Sequence, residues 1–326
     1  MERAASDLSQ AIRCHFSLNS ARMACFLAMI WGVIGAKRVQ LWALAEQFGG
    51  EAQPESRVKR IKRFLRDIAL PWDTVARCIM ALVAVPGPWT LIMDRTNWHY
   101  GKLERNYLVL AIVYHGVAIP LLIKDLGHAG NSDTAERIAL MERFLAIFGK
   151  DTVYCLLADR EFIGQDWFKW LKNNGIPPCI RIRNNTQVRH RNGGKVPVST
   201  LLRSLQIGEH REWDETIYGC PMRVVGLKIS ANDYVVLLAA PSLTAAKLPL
   251  YKVRWAIECL FKNQKSTGFL WETTHLIHPD RAEKLAAVLA LATAVAIKEG
   301  VLQNASKSMS RNFTAIGIFC NFFLVI

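Results

Sequence analysis

The 326-residue sequence lacks the features that mark a secreted, metal-caged or membrane-spanning chain. Its eight cysteines include no Cys-x-x-Cys pair, which argues against a zinc cage and against a disulfide framework. The N-terminus has no charged segment followed by an apolar one, so export is not expected. The longest apolar stretches, residues 23–36 and 285–297, are shorter than the roughly 20 residues that a spanning helix needs. These absences predict a cytoplasmic protein with reduced thiols and no membrane partner.

Acidic residues are also scarce relative to basic ones. The chain has 41 Lys or Arg and 27 Asp or Glu, which gives a net charge of +14, while 51% of its residues are hydrophobic. So high a hydrophobic content excludes a disordered tail and predicts a sizeable core. The positive charge favours a polyanionic partner, most often nucleic acid.

The densest basic segment is residues 57–66, which hold six cations and no acid. Val58, Ile61 and Leu65 recur at helical spacing and form one apolar face. The cations therefore occupy the remaining surface of the helix. A solvated basic face is the alternative, but so dense a cluster of cations is better explained by DNA phosphates. The cations assigned to DNA are Lys59, Arg60, Lys62 and Arg63.

The hydrophobic pattern predicts an α/β fold. Residues 1–80 read as helices, and from residue 89 strands alternate with helices at 133–148 and 164–174, as in a mixed sheet flanked by helices. Residues 184–249 show β and turn signals and predict a β-rich insertion. The chain then returns to helix at 250–265 and 280–302.

Two carboxylates follow buried strands. Asp94 comes directly after the strand TLIM, and Asp159 directly after VYCLLA. Functional side chains of α/β sheets often lie at the carboxyl ends of strands. Each aspartate taken alone is more often a turn or N-cap residue, so the prediction depends on a third element.

That element is the segment YKVRWAIECLFKNQK. On a continuous helix, five of its side chains fall within a stripe about 80° wide, at about 100° per residue. They are Tyr251, Arg254, Glu258, Lys262 and Lys265. An ion-paired helix surface is the alternative, with Glu258 and Lys262 contributing only ~0.3 to 0.5 kcal/mol. It does not explain why a tyrosine and an arginine share the stripe.

With Asp94 in MDRTNW and Asp159 in ADREF, this Y-x2-R-x3-E-x6-K segment resembles the DDE transposases of bacterial insertion sequences, specifically insertion-sequence family 4. Gly130-Asn131-Ser132 also matches a turn of that family. The resemblance implies a ribonuclease-H-like core interrupted by a β insertion. The expected domains are a helical DNA-binding domain (1–80), the first part of the catalytic core (86–183), the β-rich insertion (184–249), the second part of the core (250–305) and a C-terminal tail (306–326).

The expected chemistry is metal-dependent. Asp94, Asp159 and Glu258 would repel one another unless a hard cation neutralised them, and oxygen ligands suit Mg²⁺ or Mn²⁺. The resemblance implies a transposase that binds the ends of its element, cleaves them and transfers them to target DNA as a homodimer. It also implies DNA contacts by Tyr251, Arg254, Lys262 and Lys265, and a base-stacking aromatic in the insertion, for which Trp213 is the candidate. The expected location is a bacterial cytoplasm, in association with the nucleoid.

Two other functions stay open. One is a DNA-binding repressor or degenerate element protein without transposition, because the apolar tail at 316–326 departs from the family pattern. The other is a metal-dependent nuclease without strand transfer. The carboxylate triad argues against the first, and nothing in the sequence excludes the second. Glu161, two residues after Asp159, is expected not to be the third catalytic carboxylate.

Overall fold

The N-terminal region is helical, as predicted. The structure is a computed structural model that describes residues 2–100, 103–190, 192–274 and 276–307. The first helices are α1 (Glu2–His15), α2 (Ser20–Ala36), α3 (Leu41–Glu46), α4 (Pro54–Asp67) and α5 (Trp72–Val83). Helix α4 ends at Asp67, and Ile68 is extended. Pro71 follows closely, and the residue before a proline disfavours the helical conformation.

The strands form a mixed sheet. They are β1 (Trp89–Tyr100), β2 (Leu103–Tyr114), β3 (Val117–Asp125), β4 (Val153–Ala158), β5 (Pro178–Ile182), β6 (Gln187–Arg189), β7 (Lys195–Pro197), β8 (His210–Ile217), β9 (Cys220–Lys228) and β10 (Tyr234–Ala239). Among the described residues, eight of them form one sheet in the order β3-β2-β1-β4-β5-β10-β9-β8, and β6 pairs with β7. β4 is parallel to β1 and to β5, whereas β5, β10, β9 and β8 pair antiparallel. The predicted α/β class is confirmed.

The later helices are α6 (Thr134–Phe148), α7 (Gln165–Asn173), α8 (Val198–Leu202), α9 (Lys247–Lys252), α10 (Trp255–Lys262) and α11 (Pro279–Lys307). Asp133 and Glu136 form a capping box at the start of α6, which satisfies two backbone N–H groups of its first turn. The helices predicted at 133–148, 164–174 and 280–302 are therefore confirmed to within a few residues.

The predicted continuous helix over 250–265 is wrong. The chain forms α9, a break at Val253 and Arg254, α10, and then a π-helical turn over Asn263–Thr267. At the break, Val253 N donates to Leu250 O (3.2 Å) and Arg254 N to Tyr251 O (3.0 Å). Because these hydrogen bonds span three residues rather than four, the rotation per residue departs from that of an α-helix. Tyr251, Arg254 and Lys265 therefore do not lie on one continuous helix, and the stripe predicted for them does not form as a single helix face.

The described residues fall into two compact units. One comprises Met1–Pro86, Arg95–Gly130 and Ala256–Ile326, and the other comprises Gly87–Asp94 and Asn131–Trp255. In the first unit, α11 packs against α5, α2 and β3. In the second, α6 packs against α7, and α7 against β9. The functional domain boundaries given above stay predictions, and the apolar tail at 316–326 lies outside the described residues.

Helix α11 is longer than its apolar stretch suggested. Its segment Pro279–Leu302 is long and apolar enough to cross a membrane, which corrects the expectation that this region is too short. Polar residues at its N-terminal end extend the helix beyond the continuous apolar run. However, 78% of its most apolar 18-residue window is buried inside the protein, which is typical of a core helix.

Candidate active site at the ends of parallel strands

Asp94 and Asp159 follow directly paired positions on neighbouring parallel strands. Met93 of β1 pairs with Ala158 of β4, and each aspartate is the next residue along its strand. Neighbouring strands lie about 4.8 Å apart, so the register brings the two carboxylates to one level of the sheet. One detail of the prediction is wrong, because β1 does not end before Asp94 but continues to Tyr100. Its pairing with β4 ends there, since β4 itself ends at Ala158.

The same level of the sheet carries an arginine that the sequence analysis missed. Ala158 of β4 also pairs with Ile180 of β5, and Arg181 is the next residue. The paired residues Met93, Ala158 and Ile180 form one row across three neighbouring strands, and the residues that follow them are Asp94, Asp159 and Arg181. Arg181 is half-buried. The sequence feature that could have identified Arg181 is the apolar segment PCIRI, in which Arg181 is the one charged residue and lies near the end of the strand. The reasoning that selected the aspartates would have selected it as well.

Arg254 forms an ion pair with Asp94. Its Nη1 donates to Asp94 Oδ2 at 2.9 Å, and the two side chains are only 14% and 15% exposed. A charged hydrogen bond in so little solvent is stronger than a surface ion pair. Arg254 lies at the break between α9 and α10, so the interruption of the helix places the guanidinium on the carboxylate.

Tyr251 completes this group. Its ring centroid lies 5.8 Å from the Arg254 guanidinium carbon. The pKa of Tyr251 is raised to about 12. Burial is the main cause, Arg254 opposes it, the negative charge of Asp159 adds to it, and Arg181 opposes it to a smaller extent. The phenol is therefore protonated at neutral pH and can donate a hydrogen bond. The structure brings Asp94, Asp159, Tyr251 and Arg254 together, and their catalytic and DNA-binding roles stay predictions.

Glu161 has a different environment from the two aspartates. Its Oε1 accepts from the backbone N and the Oγ of Ser132, both at 3.3 Å, while its own N–H donates to Asp159 Oδ1 at 2.8 Å. The carboxylate thus holds the Gly-Asn-Ser segment, and the backbone of the same residue orients Asp159. This engagement supports the expectation that Glu161 is not the third catalytic carboxylate.

Arg137 forms hydrogen bonds with Ser132 of this segment. It was not among the residues predicted from the sequence. It is 4% exposed, donates through Nε to Ser132 Oγ at 2.9 Å and also donates to Ser132 O. Its guanidinium carbon lies 5.0 Å from the centroid of the Phe162 ring. Burial lowers the pKa of Arg137, and the charges of Glu161 and Asp133 oppose that shift most. A lone arginine on an amphipathic helix gives no sign in sequence that it is buried.

The remaining predicted residues of the Y-R-E-K segment belong to the other compact unit. Glu258 is half-buried on α10, and Lys262 is exposed at the end of that helix. Lys265 lies in the π-helical turn, where burial lowers its pKa and the charge of Glu272 opposes the shift. Among the described residues, no three His, Cys, Asp or Glu side chains are grouped so that they could hold a metal ion. The metal role of the triad therefore stays a prediction.

Helix α4 exposes the cations assigned to DNA. Val58, Ile61 and Leu65 are buried on one side, as predicted. The exposed residues are Lys59, Arg60, Lys62 and Arg63. Arg60 also donates to Ala21 O at 2.7 Å, which ties α4 to the first turn of α2. Arg60, Arg63 and Arg22 line a common pocket of about 340 Å³, so this surface gathers positive charge from two helices.

Trp213 lies on β8 directly opposite Val224 of β9 and is half-buried. Its neighbour Asp214 forms an ion pair with Arg223 at 2.7 Å, so the strand beside it is held by cross-strand charges. The packing against Val224 accounts for part of the indole surface. Base stacking by Trp213 stays a prediction.

The fold and this group of residues define a class. A mixed sheet flanked by helices, with carboxylates at the ends of its parallel strands, is consistent with a ribonuclease-H-like fold. The chain matches the family described as "Transposase DDE domain" over residues 86–295, and it belongs to that family.

A solved structure shows the same overall fold. The chain is similar to one in the cryo-EM structure of a piggyBac transposase synaptic complex with hairpin DNA, with a TM-score of 0.50 and 13% sequence identity. The similarity covers 94% of this chain and 71% of that one. No curated protein matches the chain.

Proposed function

We propose that the chain is the transposase of a family 4 insertion sequence, which binds the ends of its element and then cleaves and transfers them. The observation that carries the proposal is the register of β1 and β4, which places Asp94 and Asp159 side by side after paired residues. Membership of the Transposase DDE domain family supports the general activity. The family 4 assignment rests on the spacing of Tyr251, Arg254, Glu258 and Lys265.

The residues fit a divalent metal ion by their donor chemistry. Asp94 and Asp159 offer carboxylate oxygens, which suit Mg²⁺ or Mn²⁺, and Asp94 already attracts a cationic group, the Arg254 guanidinium at 2.9 Å. We assign Glu258 as the third ligand. A bound ion would activate the attacking hydroxyl and stabilise the departing oxygen of a phosphodiester.

The chain's own residues would bind and orient DNA. The planar guanidinium of Arg254 can hold a phosphate through two hydrogen bonds while it still neutralises Asp94. Arg181 adds a second positive charge beside Asp159, and Tyr251 can donate a hydrogen bond because its phenol stays protonated. Lys262 and Lys265 would act as point charges on neighbouring phosphates. Helix α4 would bind the DNA backbone through its exposed cations.

The assembly and the location belong to the same proposal. Cleavage of two element ends and their joining to one target call for two active sites, so we propose a homodimer on DNA. The expected site of action is the nucleoid of a bacterial cytoplasm.

The test is to incubate the protein and Mg²⁺ with a labelled duplex from the DNA that flanks its coding sequence, with and without a target plasmid. Cleavage followed by label transfer to the plasmid is expected. Cleavage without transfer would identify a nuclease, and binding without cleavage would identify a repressor or degenerate protein. Asp94→Asn and Asp159→Asn are the matched controls, since each keeps the side chain's shape but removes its charge.

A further inference from the structure

A basic cleft lies in the β-rich segment of the second compact unit, away from the residues assigned so far. It has a volume of about 560 Å³ and lies beside the β6-β7 hairpin. Among the described residues, three cations line it, Arg183, Arg189 and Lys195, together with one carboxylate, that of Glu215. All three cations are exposed, whereas Glu215 is half-buried. The formal charge of the cleft is therefore positive.

Two of these cations lie opposite each other on the hairpin. Arg189 of β6 and Lys195 of β7 are direct cross-strand partners. Like charges in that relationship destabilise a strand pair, and a two-stranded sheet has little stability to spare. Within the part of the chain that the structure describes, neither side chain forms an ion pair with a carboxylate. A nearby anion would reduce the repulsion that this register places between the two cations.

The carboxylate of Glu215, the acid among the described lining residues, accepts hydrogen bonds from backbone N–H groups. Glu215 Oε2 accepts from the N–H of Arg189 at 3.3 Å, and its Oε1 accepts from the N–H of Thr216 at 3.1 Å. Glu215 therefore fixes the hairpin against β8 rather than pairing with the guanidinium of Arg189. The side chains of Arg189 and Lys195 therefore keep their positive charge at the cleft.

A tyrosine adds a hydrogen-bond donor to the cleft. Tyr218 is half-buried and lies in the β8-β9 turn, where its ring stacks on Phe168 with centroids 5.3 Å apart. Burial raises the pKa of Tyr218, while a hydrogen bond with Thr186 and the charge of Arg183 oppose the shift. The phenol is thus protonated at neutral pH, and its position is fixed by the stacked ring.

We propose that this cleft binds backbone phosphates of double-stranded DNA, as a contact separate from helix α4 and from the paired aspartates. The proposal rests on the proposed function, since it assumes that DNA is the substrate. Cations spread along an exposed hairpin suit a chain of phosphates, whereas a small free anion requires donors that enclose it. The charge repulsion between Arg189 and Lys195 is relieved when phosphates approach both.

The first test compares salt dependence of binding for a fluorescent 30-bp duplex, with Arg189→Gln/Lys195→Gln as the variant. The matched control is Lys169→Gln/Arg203→Gln, which removes two exposed cations of the same unit that do not line the cleft. We expect the variant to lower the slope of log K against log salt by roughly 0.9 for each lost phosphate contact, and the control to leave it unchanged. The variant's thermal unfolding midpoint should be unchanged or higher, because repulsion is removed.

The second test needs no substitution. In the wild-type protein, the duplex should protect Lys195 from an amine-acylating reagent and leave Lys169 reactive. Equal slopes for variant and wild type, an equal loss in the control, or an unprotected Lys195 would each overturn the proposal. Protection by inorganic phosphate but not by the duplex would overturn it too, since it would identify a small-anion site. If the wild type binds no duplex at all, the proposed function fails as well, which separates the two results.

Discussion

Arg254 Nη1 lies 2.9 Å from Asp94 Oδ2, although the two residues are 160 positions apart in the sequence. The pair joins the end of the parallel pairing in β1 to the break between α9 and α10. Since both side chains are little exposed, each charge offsets part of the cost of burying the other. The residue proposed to hold DNA thus also pairs with a carboxylate of the proposed catalytic site.

Arg254→Ala should weaken both the fold and the DNA complex. The ion pair predicts a loss of about 2 kcal/mol, because Asp94 loses its charged hydrogen bond with Arg254 at a position of low exposure. Urea denaturation measures the first effect and a mobility-shift assay the second. Arg254→Lys should recover most of the stability but less of the binding, since lysine lacks the planar fork. Normal stability in Arg254→Ala would show that the ion pair contributes nothing.

Glu258→Gln should bind DNA without cutting it, because the amide keeps the shape of the side chain but loses the charge. Glu161→Gln should retain appreciable cutting, since an amide oxygen can still accept from Ser132 N and Oγ. The measurement is Mg²⁺-dependent nicking of an element end, with DNA binding as the control. Loss of nicking in Glu161→Gln alone, with normal nicking in Glu258→Gln, would reverse the assignment.

Arg137→Ala should destabilise the second unit by about 3 kcal/mol, because it removes a buried cation whose partners are then left unsatisfied. Chemical denaturation measures the loss. Glu142→Ala, at an exposed position of the same helix, is the control and should change stability by less than about 0.5 kcal/mol. Similar losses for both variants would mean that the Ser132 network is not a source of stability.

Replacing Lys59, Lys62 and Arg63 of α4 together by Gln should reduce DNA affinity and flatten its salt dependence by roughly 0.9 per lost phosphate contact. Arg60 is kept in this variant because its hydrogen bond to Ala21 O supports the fold. A second variant in which Arg60 is also replaced by Gln then measures the contribution of Arg60 to DNA affinity. Arg66→Gln is the control, since Arg66 lies on the same helix but is paired with Asp67 at 2.6 Å. An unchanged slope in the triple variant would remove α4 from the interface.

Tyr251 should make stability fall at high pH. Its pKa is about 12 in the folded protein and near 10 when unfolded, so its contribution is fully present below pH 10 and is lost as pH rises through 12. The wild type should therefore lose stability relative to Tyr251→Phe over that window. Denaturation midpoints of both proteins between pH 9 and 12 measure the difference. A constant difference across the window would contradict the burial of the phenol beside Asp159.

Much of the fold, and the position of two aspartates after neighbouring strands, follow from the sequence alone. The strand VYCLLA and the amphipathic α4 were found because burial imposes a repeat of two or 3.6 residues on any segment that packs on a core. Asp94 and Asp159 were found because each follows such a buried strand. Y-x2-R-x3-E-x6-K and its neighbours pointed to a transposase, and the family match supports that conclusion.

The tertiary structure decided everything that depends on which distant segments meet. The row Met93, Ala158 and Ile180 brings Arg181 level with the aspartates, and no local pattern encodes that register. The burial of Arg137 and the cross-strand pairing of Arg189 with Lys195 likewise arise from contacts between elements. A periodic pattern fixes which face of a segment is buried. Strand register and the partners of buried charges are set by the packing of the whole chain.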